Sequence, residues 1–228
     1  ITHMIGRIKL LMKNLEIEML ANQDAELQAL YFQINPHFLY NALDCVHQLC
    51  DLGEVEKAGQ MVDQLAAFYR IGVSKGMVAI SLRDELTHVE MYLAILKTRF
   101  EDFQYEISVP AEYWDCSIIK LVLQPIVENA IFSGIEPSGR TGLITIRVWV
   151  KAGVLHISVT DNGIGISPDN IEKLLTDTSR ITRSNMSGIG LPNVDRRFKL
   201  VYGEDYGLTI ESVVDQYTTI TITLPLEF

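Results

Sequence analysis

The chain has 228 residues, 48% of them hydrophobic and only 7 prolines, a composition that favours packed structure throughout over a disordered tail. Its formal net charge of −10 argues against a nucleic-acid-binding protein, because such proteins concentrate lysine and arginine on the surface that follows the phosphates. No apolar run reaches the roughly 18 to 20 residues that a membrane span needs, and 3 cysteines without a CxxC pair indicate reduced thiols rather than a disulfide framework or a zinc site.

The N-terminal third of the sequence is predicted to be helical. Apolar residues recur at spacings of three and four over residues 1–19, which is the heptad pattern of a coiled coil. A second apolar stripe covers residues 27–49, a turn is expected around Gly53, and a helix resumes near Val55. Two helices with wide apolar faces cannot bury both faces alone. The pattern therefore predicts an antiparallel hairpin that pairs with a second copy as a dimeric four-helix bundle.

The remainder of the chain alternates between helix and strand patterns. SLRDELTHVEMYLAILKTRF has the pattern of a helix with Ser81 and Glu85 near its N-cap positions. FQYEISV alternates as a strand, SIIKLVLQPIVENAIFSG has the composition of a buried helix ending at Gly134, and GLITIRVWV with GVLHISVTD predicts a hairpin. A polar stretch, a helix from about Leu191 to Tyr202 and two strands, GLTIES and TTITITLP, complete the pattern. This order predicts an α/β sandwich with a mixed, mainly antiparallel sheet.

Two glycine-rich loops carry the main chemical signal. DNGIGIS places Asp161, Gly163 and Gly165 at the end of a strand, and SGIGLPNV places Gly188 and Gly190 at the start of a helix. Glycine lets a ligand approach the backbone, and the amides at a helix start attract phosphate. Neither loop matches the P-loop or the dinucleotide fingerprint. The order is nevertheless specific: a helix with ENA, a strand with DNGIG, a flexible segment, and GIGL leading into a helix.

In that order, residues 103–225 resemble the Bergerat-type (GHKL) ATP-binding domain shared by sensor histidine kinases, gyrase-type topoisomerases, Hsp90 and MutL. The resemblance implies ATP and Mg²⁺ as cofactors, with Asn129 supplying an oxygen ligand to the metal. It implies that Asp161 accepts a hydrogen bond from the adenine amino group, and that residues 167–187 form a lid. The residues that it places along the nucleotide are Gly163, Gly165, Gly188, Gly190 and Leu191.

The stretch QINPHFLYN resembles the phosphoacceptor motif of the LytS/YesM type of sensor histidine kinase, and FYR, YLAILKTRF, LQPIVENAI and YGLTI extend the resemblance over almost the whole chain. It implies that His37, whose imidazole is largely neutral at pH 7, attacks the γ-phosphoryl group of ATP. Asn41, four residues later on the same helix face, would orient the ring or a hydrolytic water. Our hypothesis for Pro36 is that it loosens the helix, which gives His37 room to meet ATP and then a receiver aspartate.

Three features depart from the pattern of the relatives. Phe38 stands where most histidine kinases have an acidic residue, which leaves the general base unassigned and Glu128 as a weak substitute. Phe132 and Ser133 replace a basic pair after the ENA motif. Tyr217 replaces a glycine before the last strand, so reduced activity is one expectation.

The predicted domain order is a signalling coiled-coil helix at the end of a HAMP-like region (1–22), a dimerisation and histidine phosphotransfer hairpin (23–78), a connecting helix (79–102) and a catalytic ATP-binding domain (103–228). The predicted fold class is therefore α+β. We also expect the chain to be the cytoplasmic portion of a bacterial cell-membrane protein, with a membrane-spanning sensor upstream of Ile1.

The predicted function is that of a sensor histidine kinase in a two-component system. A homodimer would phosphorylate His37 and pass the phosphoryl group to an aspartate of a response regulator, often an AraC-type transcription factor. One alternative is a GHKL-type ATPase that uses nucleotide to drive conformational change, which would leave NPHFLYN unexplained. The other is a catalytically weak dimeric scaffold, which Phe132 and Ser133 favour.

Overall fold

The computed structural model describes residues 36–72, 79–100, 102–176 and 190–227. The predicted coiled coil over 1–22, Gly188 and most of the predicted lid lie outside these residues. The structure places His37 in a helix but describes neither its side chain nor that of Pro36. The hypothesis for Pro36 therefore stays a prediction.

Two helices joined by a short turn form a hairpin. Helix α1 spans Pro36–Asp51 and helix α2 spans Val55–Gly72. Gly53 has a φ of +76°, a left-handed conformation that glycine adopts without a steric penalty. Phe38, Met61 and Phe68 are among the buried apolar residues of the two helices. The predicted turn and the restart of the helix at Val55 are confirmed.

Helix α3 (Leu82–Arg99) lies against both the hairpin and the rest of the chain. It contacts α1, α2 and the short helix α4 (Leu123–Asn129). Its N-cap is Ser81, whose hydroxyl accepts a hydrogen bond from the Asp84 amide at 3.1 Å. This confirms the predicted helix start, and the domain boundaries at 79 and 102 stay a prediction.

Five strands form one mixed sheet, namely β2 Phe103–Ser108, β4 Gly142–Lys151, β5 Val154–Asp161, β6 Gly207–Val213 and β7 Tyr217–Pro225. Their order in the sheet is β2-β4-β5-β7-β6. Strand β2 pairs in parallel with β4, and the other pairs are antiparallel, which confirms the predicted mixed sheet.

A second, two-stranded sheet corrects one prediction. Strand β3 (Ser117–Ile119) pairs antiparallel with β1 (Ala79–Ser81), although its residues open the stretch SIIKLVLQPIVENAIFSG that was predicted as one helix. Leu121 then has a φ of +58°, which a helix does not allow. Helix therefore begins only at Leu123, and after Asn129 it widens into a π-helical turn, Ala130–Ile135.

The helices cover one face of the five-stranded sheet. On β4, Ile144, Ile146 and Val148 are buried, whereas Arg147 and Trp149 between and beyond them are exposed. This alternation is the period of a strand with one covered face. Helix α5 (Pro168–Thr176) begins the predicted polar lid, and helix α6 (Leu191–Tyr202) follows the second glycine loop, at the predicted bounds. No helix in the described part of the chain is long and apolar enough to span a membrane.

Candidate nucleotide-binding site

The helix that carries Glu128 and Asn129 is held at its start by Glu85 of α3. The Glu85 carboxylate accepts hydrogen bonds from the amides of Leu121, Val122 and Leu123 at 2.8, 2.8 and 2.9 Å. Such amides at a helix start have no partner within the helix itself. The carboxylate therefore caps α4 from another helix, and it holds Leu121 in its left-handed conformation.

Arg197 of α6 holds the same turn from the other side. Its guanidinium donates to the carbonyl oxygens of Lys120 at 2.8 Å and Leu121 at 3.4 Å. Burial raises the pKa of Glu85, although its three amide partners and Arg197 act in the opposite direction. Helix α6, which begins just after the second glycine loop, is thus tied to the start of the ENA helix.

Asp161 ends strand β5 with its side chain almost fully buried, at 3% exposure. The amide of Gly163 donates to Asp161 Oδ1 at 2.9 Å. Burial raises the pKa of the carboxyl to about 6, and the Gly163 amide partly opposes this shift. Asp161 is therefore mostly ionised at pH 7, and it is a charged acceptor in a buried position.

Gly134 brings the π-helical turn into contact with this loop. Its carbonyl oxygen accepts from the Ile164 amide at 3.0 Å, and a Cβ at Gly134 would lie 2.6 Å from Asp161 Oδ1. A Cβ at Gly163 would in turn overlap the Gly134 backbone. Two glycines are needed for this approach, and the sequence predicted Gly134 only as a helix end.

The DNGIG loop is also fixed by the last residues of strand β6. The Ile166 amide donates to Ser212 Oγ at 2.8 Å. Gly165 has a φ of +67°, and a Cβ there would overlap the carbonyl of Val213. The backbone of Gly165 therefore fits only because it carries no side chain.

Arg140, in the turn before β4, links this loop to the turn between β6 and β7. It donates to the carbonyl oxygen of Gly163 at 3.0 Å and to that of Asp215 at 3.2 Å. Sequence reasoning missed this residue, because an exposed arginine in a turn has no distinguishing local pattern. The loop around Asp161 is consequently locked by three separate segments.

The second glycine loop is described from Gly190 onward. Gly190 is buried and precedes the first residue of α6, and its carbonyl accepts from the Asn193 and Val194 amides at 2.9 and 3.2 Å. Leu191 is buried in the apolar core. Any contact of Leu191 with a phosphate would therefore come from its backbone amide at the helix start.

Comparisons with known proteins agree with this geometry. The sequence model of the family described as "Histidine kinase" matches residues 25–104, and the model of "Histidine kinase-, DNA gyrase B-, and HSP90-like ATPase" matches residues 115–228. Sensor histidine kinase YesM of Bacillus subtilis is 34% identical over 225 residues, covering 98% of this chain and 37% of that protein. The chain belongs to the sensor histidine kinases.

Two further relatives show how much of a sensor kinase this chain covers and which fold it has. Sensor histidine kinase BtsS of Escherichia coli is 34% identical over 202 residues, covering 88% of this chain and 33% of that protein. The chain thus spans about a third of the length of these curated relatives. A nucleotide-free catalytic domain of histidine kinase ThkA is 16% identical with a TM-score of 0.51, and the match covers 66% of this chain and 99% of that domain. This structural similarity supports only the assignment of the sandwich fold.

Glu128 is enclosed within this histidine kinase rather than open to solvent. It is 4% exposed, and its Oε1 accepts from Gln124 Nε2 at 2.8 Å. The hydroxyl of Tyr92 in α3 also interacts with its carboxylate. Its assignment as a general base stays a prediction. Asn129, the next residue, is half-buried at the end of α4.

The remaining predicted residues lie in three places. His37 and the half-buried Asn41 lie one helical turn apart on α1. Phe132 packs edge-on against Phe100, with ring centroids 6.4 Å apart, so the position of the missing basic residue is filled by an aromatic contact. Tyr217 donates its hydroxyl to Glu211 Oε1 at 2.9 Å. Through direct contacts between elements, the structure joins the ENA helix to the Asp161 loop and to α6.

The residues present fit a magnesium ion that is carried by the nucleotide. In the described ranges, no three histidine, cysteine, aspartate or glutamate side chains are grouped so that they could hold a metal. Mg²⁺ keeps several waters and is commonly bound by substrate phosphates with one or two protein oxygens. The amide oxygen of Asn129 suits that role.

Proposed function

We propose that this chain is the kinase portion of a two-component sensor, which uses ATP to phosphorylate His37 and transfers the phosphoryl group to an aspartate of a response regulator. The observation that carries the proposal is Asp161, a buried carboxylate fixed by the Gly163 amide and mostly ionised at pH 7. A charged acceptor in an apolar site selects a base with an exocyclic amino group, because a base that lacks this donor leaves the carboxylate without its partner.

The nucleotide would be held along the two glycine loops. Asp161 would accept from adenine, while Gly163 and Gly165 let the loop that carries this carboxylate pack closely against the backbone of Gly134 and Val213. The amides at the start of α6, after Gly190, would face the phosphates. Asn129 would hold Mg²⁺, which offsets the charge on the phosphates during transfer.

His37 would act as the nucleophile. A histidine with an ordinary pKa near 6.5 is largely neutral at pH 7, so a ring nitrogen has a lone pair for in-line attack on phosphorus. Asn41, one turn later on α1, would orient the ring. Loosening of the helix at Pro36 would let His37 reach the nucleotide and then the receiver domain.

The proposal includes a homodimer and a response regulator, of the AraC type for the YesM branch. Large apolar side chains remain exposed along the hairpin, and a second copy would cover them. They are Tyr40, Leu43, Leu52, Val55 and Val62. The resemblance further supports placement on the cytoplasmic side of a membrane-anchored sensor.

Incubation with γ-labelled ATP and Mg²⁺ tests this function. The unsubstituted chain should become an acid-labile, base-stable phosphoprotein, whereas His37→Gln and Asn129→Ala should remain unlabelled. His47→Gln is a matched control, because His47 lies exposed on the same helix and pairs with Asp51 at 3.0 Å. It should be labelled normally.

The alternatives give different outcomes in the same experiment. Phosphate release without any phosphoprotein would indicate a GHKL-type ATPase. Absence of Mg·ATP binding would indicate a dimeric scaffold. Equal autophosphorylation and phosphotransfer rates in Pro36→Ala and the unsubstituted chain would disprove the role assigned to Pro36.

A further inference from the structure

Helix α3 carries a stripe of buried polar side chains. Glu85, His88 and Tyr92 are spaced by three and four residues, which places them on one face, and each is at most 1% exposed. Burying polar groups is unfavourable unless they find partners. The partners of Glu85 and Tyr92 lie at opposite ends of the ENA helix, so α3 holds α4 at two points.

The contact of Tyr92 is with the end of α4 that bears Asn129. Its hydroxyl interacts with the carboxylate of Glu128, whose Oε1 accepts a hydrogen bond from Gln124. Burial, with the Glu128 carboxylate beside it, raises the pKa of Tyr92 well above its ordinary value, so the phenol keeps its proton and donates it. Glu128 immediately precedes Asn129, and a change in the position of one moves the backbone of the other.

The ring of Tyr92 contacts the hairpin. Its centroid lies 4.9 Å from that of Phe38 in α1 and 5.9 Å from that of Phe68 in α2, and the two phenylalanine rings are 5.0 Å apart. His88 stacks on the same Phe68 at 4.2 Å. Phe38 directly follows His37. One side chain therefore touches both the neighbour of the phosphoacceptor and the neighbour of the predicted magnesium ligand.

We infer that Tyr92 is a positioning residue that couples docking of the phosphoacceptor helix to nucleotide binding. With Phe38 packed on its ring, the Tyr92 hydroxyl holds Glu128 and thereby fixes Asn129 where it can bind Mg·ATP. Coupling between two sites is reciprocal, so Mg·ATP also favours the docked hairpin. The inference rests on the proposed nucleotide site, and it gives Glu128 a positioning role in place of that of a base.

A double-mutant cycle tests the coupling. The affinity for Mg·ATP would be measured for the unsubstituted chain, Tyr92→Phe, Phe38→Leu and the double variant. Each single change should weaken binding about 3- to 10-fold, and Phe38→Leu should have little further effect once Tyr92→Phe is present. If the two effects simply multiply, the inference is wrong.

Two further comparisons separate coupling from a general loss of structure. Glu128→Gln keeps an acceptor for Tyr92, so it should weaken binding less than Glu128→Leu. Tyr202→Phe is the matched control, because the Tyr202 hydroxyl accepts from the Ile119 amide at 3.1 Å, away from the hairpin contacts of Tyr92. It should show no coupling to Phe38→Leu, and equal coupling in the control would overturn the inference.

Hydrogen exchange provides a readout that needs no Tyr92 variant. Phe38→Leu should speed amide exchange over residues 123–135 and leave residues 191–202 unchanged, and the reverse pattern would contradict the inference. If the unsubstituted chain binds no Mg·ATP, the proposed function fails and the inference falls with it. If it binds Mg·ATP and phosphorylates His37 but the cycle shows no coupling, only the inference fails.

Discussion

Two buried carboxylates lie at opposite ends of the segment that runs from α4 through the π-helical turn. Glu85, at the first end, is 0% exposed and accepts three backbone hydrogen bonds. Asp161, at the second end, is 3% exposed and accepts one from the Gly163 amide. Burial raises the pKa of both groups, so they differ mainly in how many hydrogen bonds they accept.

The difference separates a structural carboxylate from one suited to a ligand. A buried carboxylate that directs both oxygens at backbone amides stabilises the fold and has little acceptor capacity for anything else. A buried carboxylate that can still accept further hydrogen bonds, and whose pKa is raised, is the kind of group found at binding sites. Loss of Glu85 should therefore mainly lower the stability of the fold, whereas loss of Asp161 should mainly weaken nucleotide binding.

The largest expected effect is that of Glu85→Gln on stability. The amide NH₂ would face a backbone N–H in place of an acceptor, and Arg197 would lose its buried counter-charge. We expect a loss of about 3 to 5 kcal/mol in the free energy of unfolding, measured by denaturant titration.

Glu90→Gln is the matched control for this change. Glu90 lies exposed on the same helix, so its substitution should alter stability by less than about 0.5 kcal/mol. Equal losses in both variants would show that the Glu85 contacts do not stabilise the fold. A Glu85→Gln chain of normal stability would remove the distinction between the two carboxylates.

Asp161→Asn is expected to affect nucleotide binding most. A neutral amide replaces the charged acceptor, so Mg·ATP affinity should fall about 10- to 100-fold, or roughly 1.5 to 3 kcal/mol. Asp195→Asn makes the comparison sharper, because Asp195 is a buried aspartate bonded to the Leu208 amide at 2.9 Å and to Lys199 at 2.6 Å. The Asp195→Asn variant should lose stability and keep its specificity for adenine. If Asp195→Asn instead weakened nucleotide binding and Asp161→Asn instead lost stability, the comparison would be contradicted.

Gly134→Ala should produce a smaller loss at the same end of the segment. The new Cβ would crowd Asp161 Oδ1, and because the neighbouring backbone is also packed, the loop must shift. We expect a loss of about 1 to 3 kcal/mol in stability together with weaker nucleotide binding. Gly59→Ala in α2 is the control, since nothing lies within 4 Å of its Cβ position. Alanine there should stabilise the chain by about 0.5 to 1 kcal/mol.

The same segment shows how far the sequence could predict the structure. Strands β4 and β5 alternate apolar and polar residues, and α6 follows a glycine with a helical pattern, so their positions could be predicted. Strand β3 could not, because SIIKLVLQP is a mainly apolar run that fits a buried helix or a buried strand, and pairing with a distant β1 decides its conformation. Tertiary contacts override local preference in such runs.

The contacts around Asp161 and Glu85 could not be predicted from the sequence for a similar reason. The motif predicted Asp161 and the loop glycines as site residues, but no local pattern shows that Gly134 contacts a carboxylate in the next strand pair. The spacing of Ser81 and Glu85 suggested a local cap. Only the fold brings Glu85 to the start of another helix, where its three amide partners lie.

The smallest predicted effect is the dependence of stability on pH through Asp161. Its pKa is about 6 when folded, against 3.8 for an ordinary aspartate, so between these values the folded chain binds more protons than the unfolded chain. The free energy of unfolding contributed by this group therefore rises as the pH falls through 6, by about 1 kcal/mol between pH 7.5 and 5.

The difference between the unsubstituted chain and Asp161→Asn isolates this contribution, because the other titrating groups are common to both. Denaturant titrations at pH 7.5 and 5 should show the unsubstituted chain gaining stability relative to the variant as the pH falls. Nucleotide affinity should change in the opposite direction, because a protonated Asp161 is a weaker acceptor for the adenine amino group. If both quantities rose together on acidification, the raised pKa would have no connection with adenine binding, and Asp161 would resemble Glu85 as a structural carboxylate.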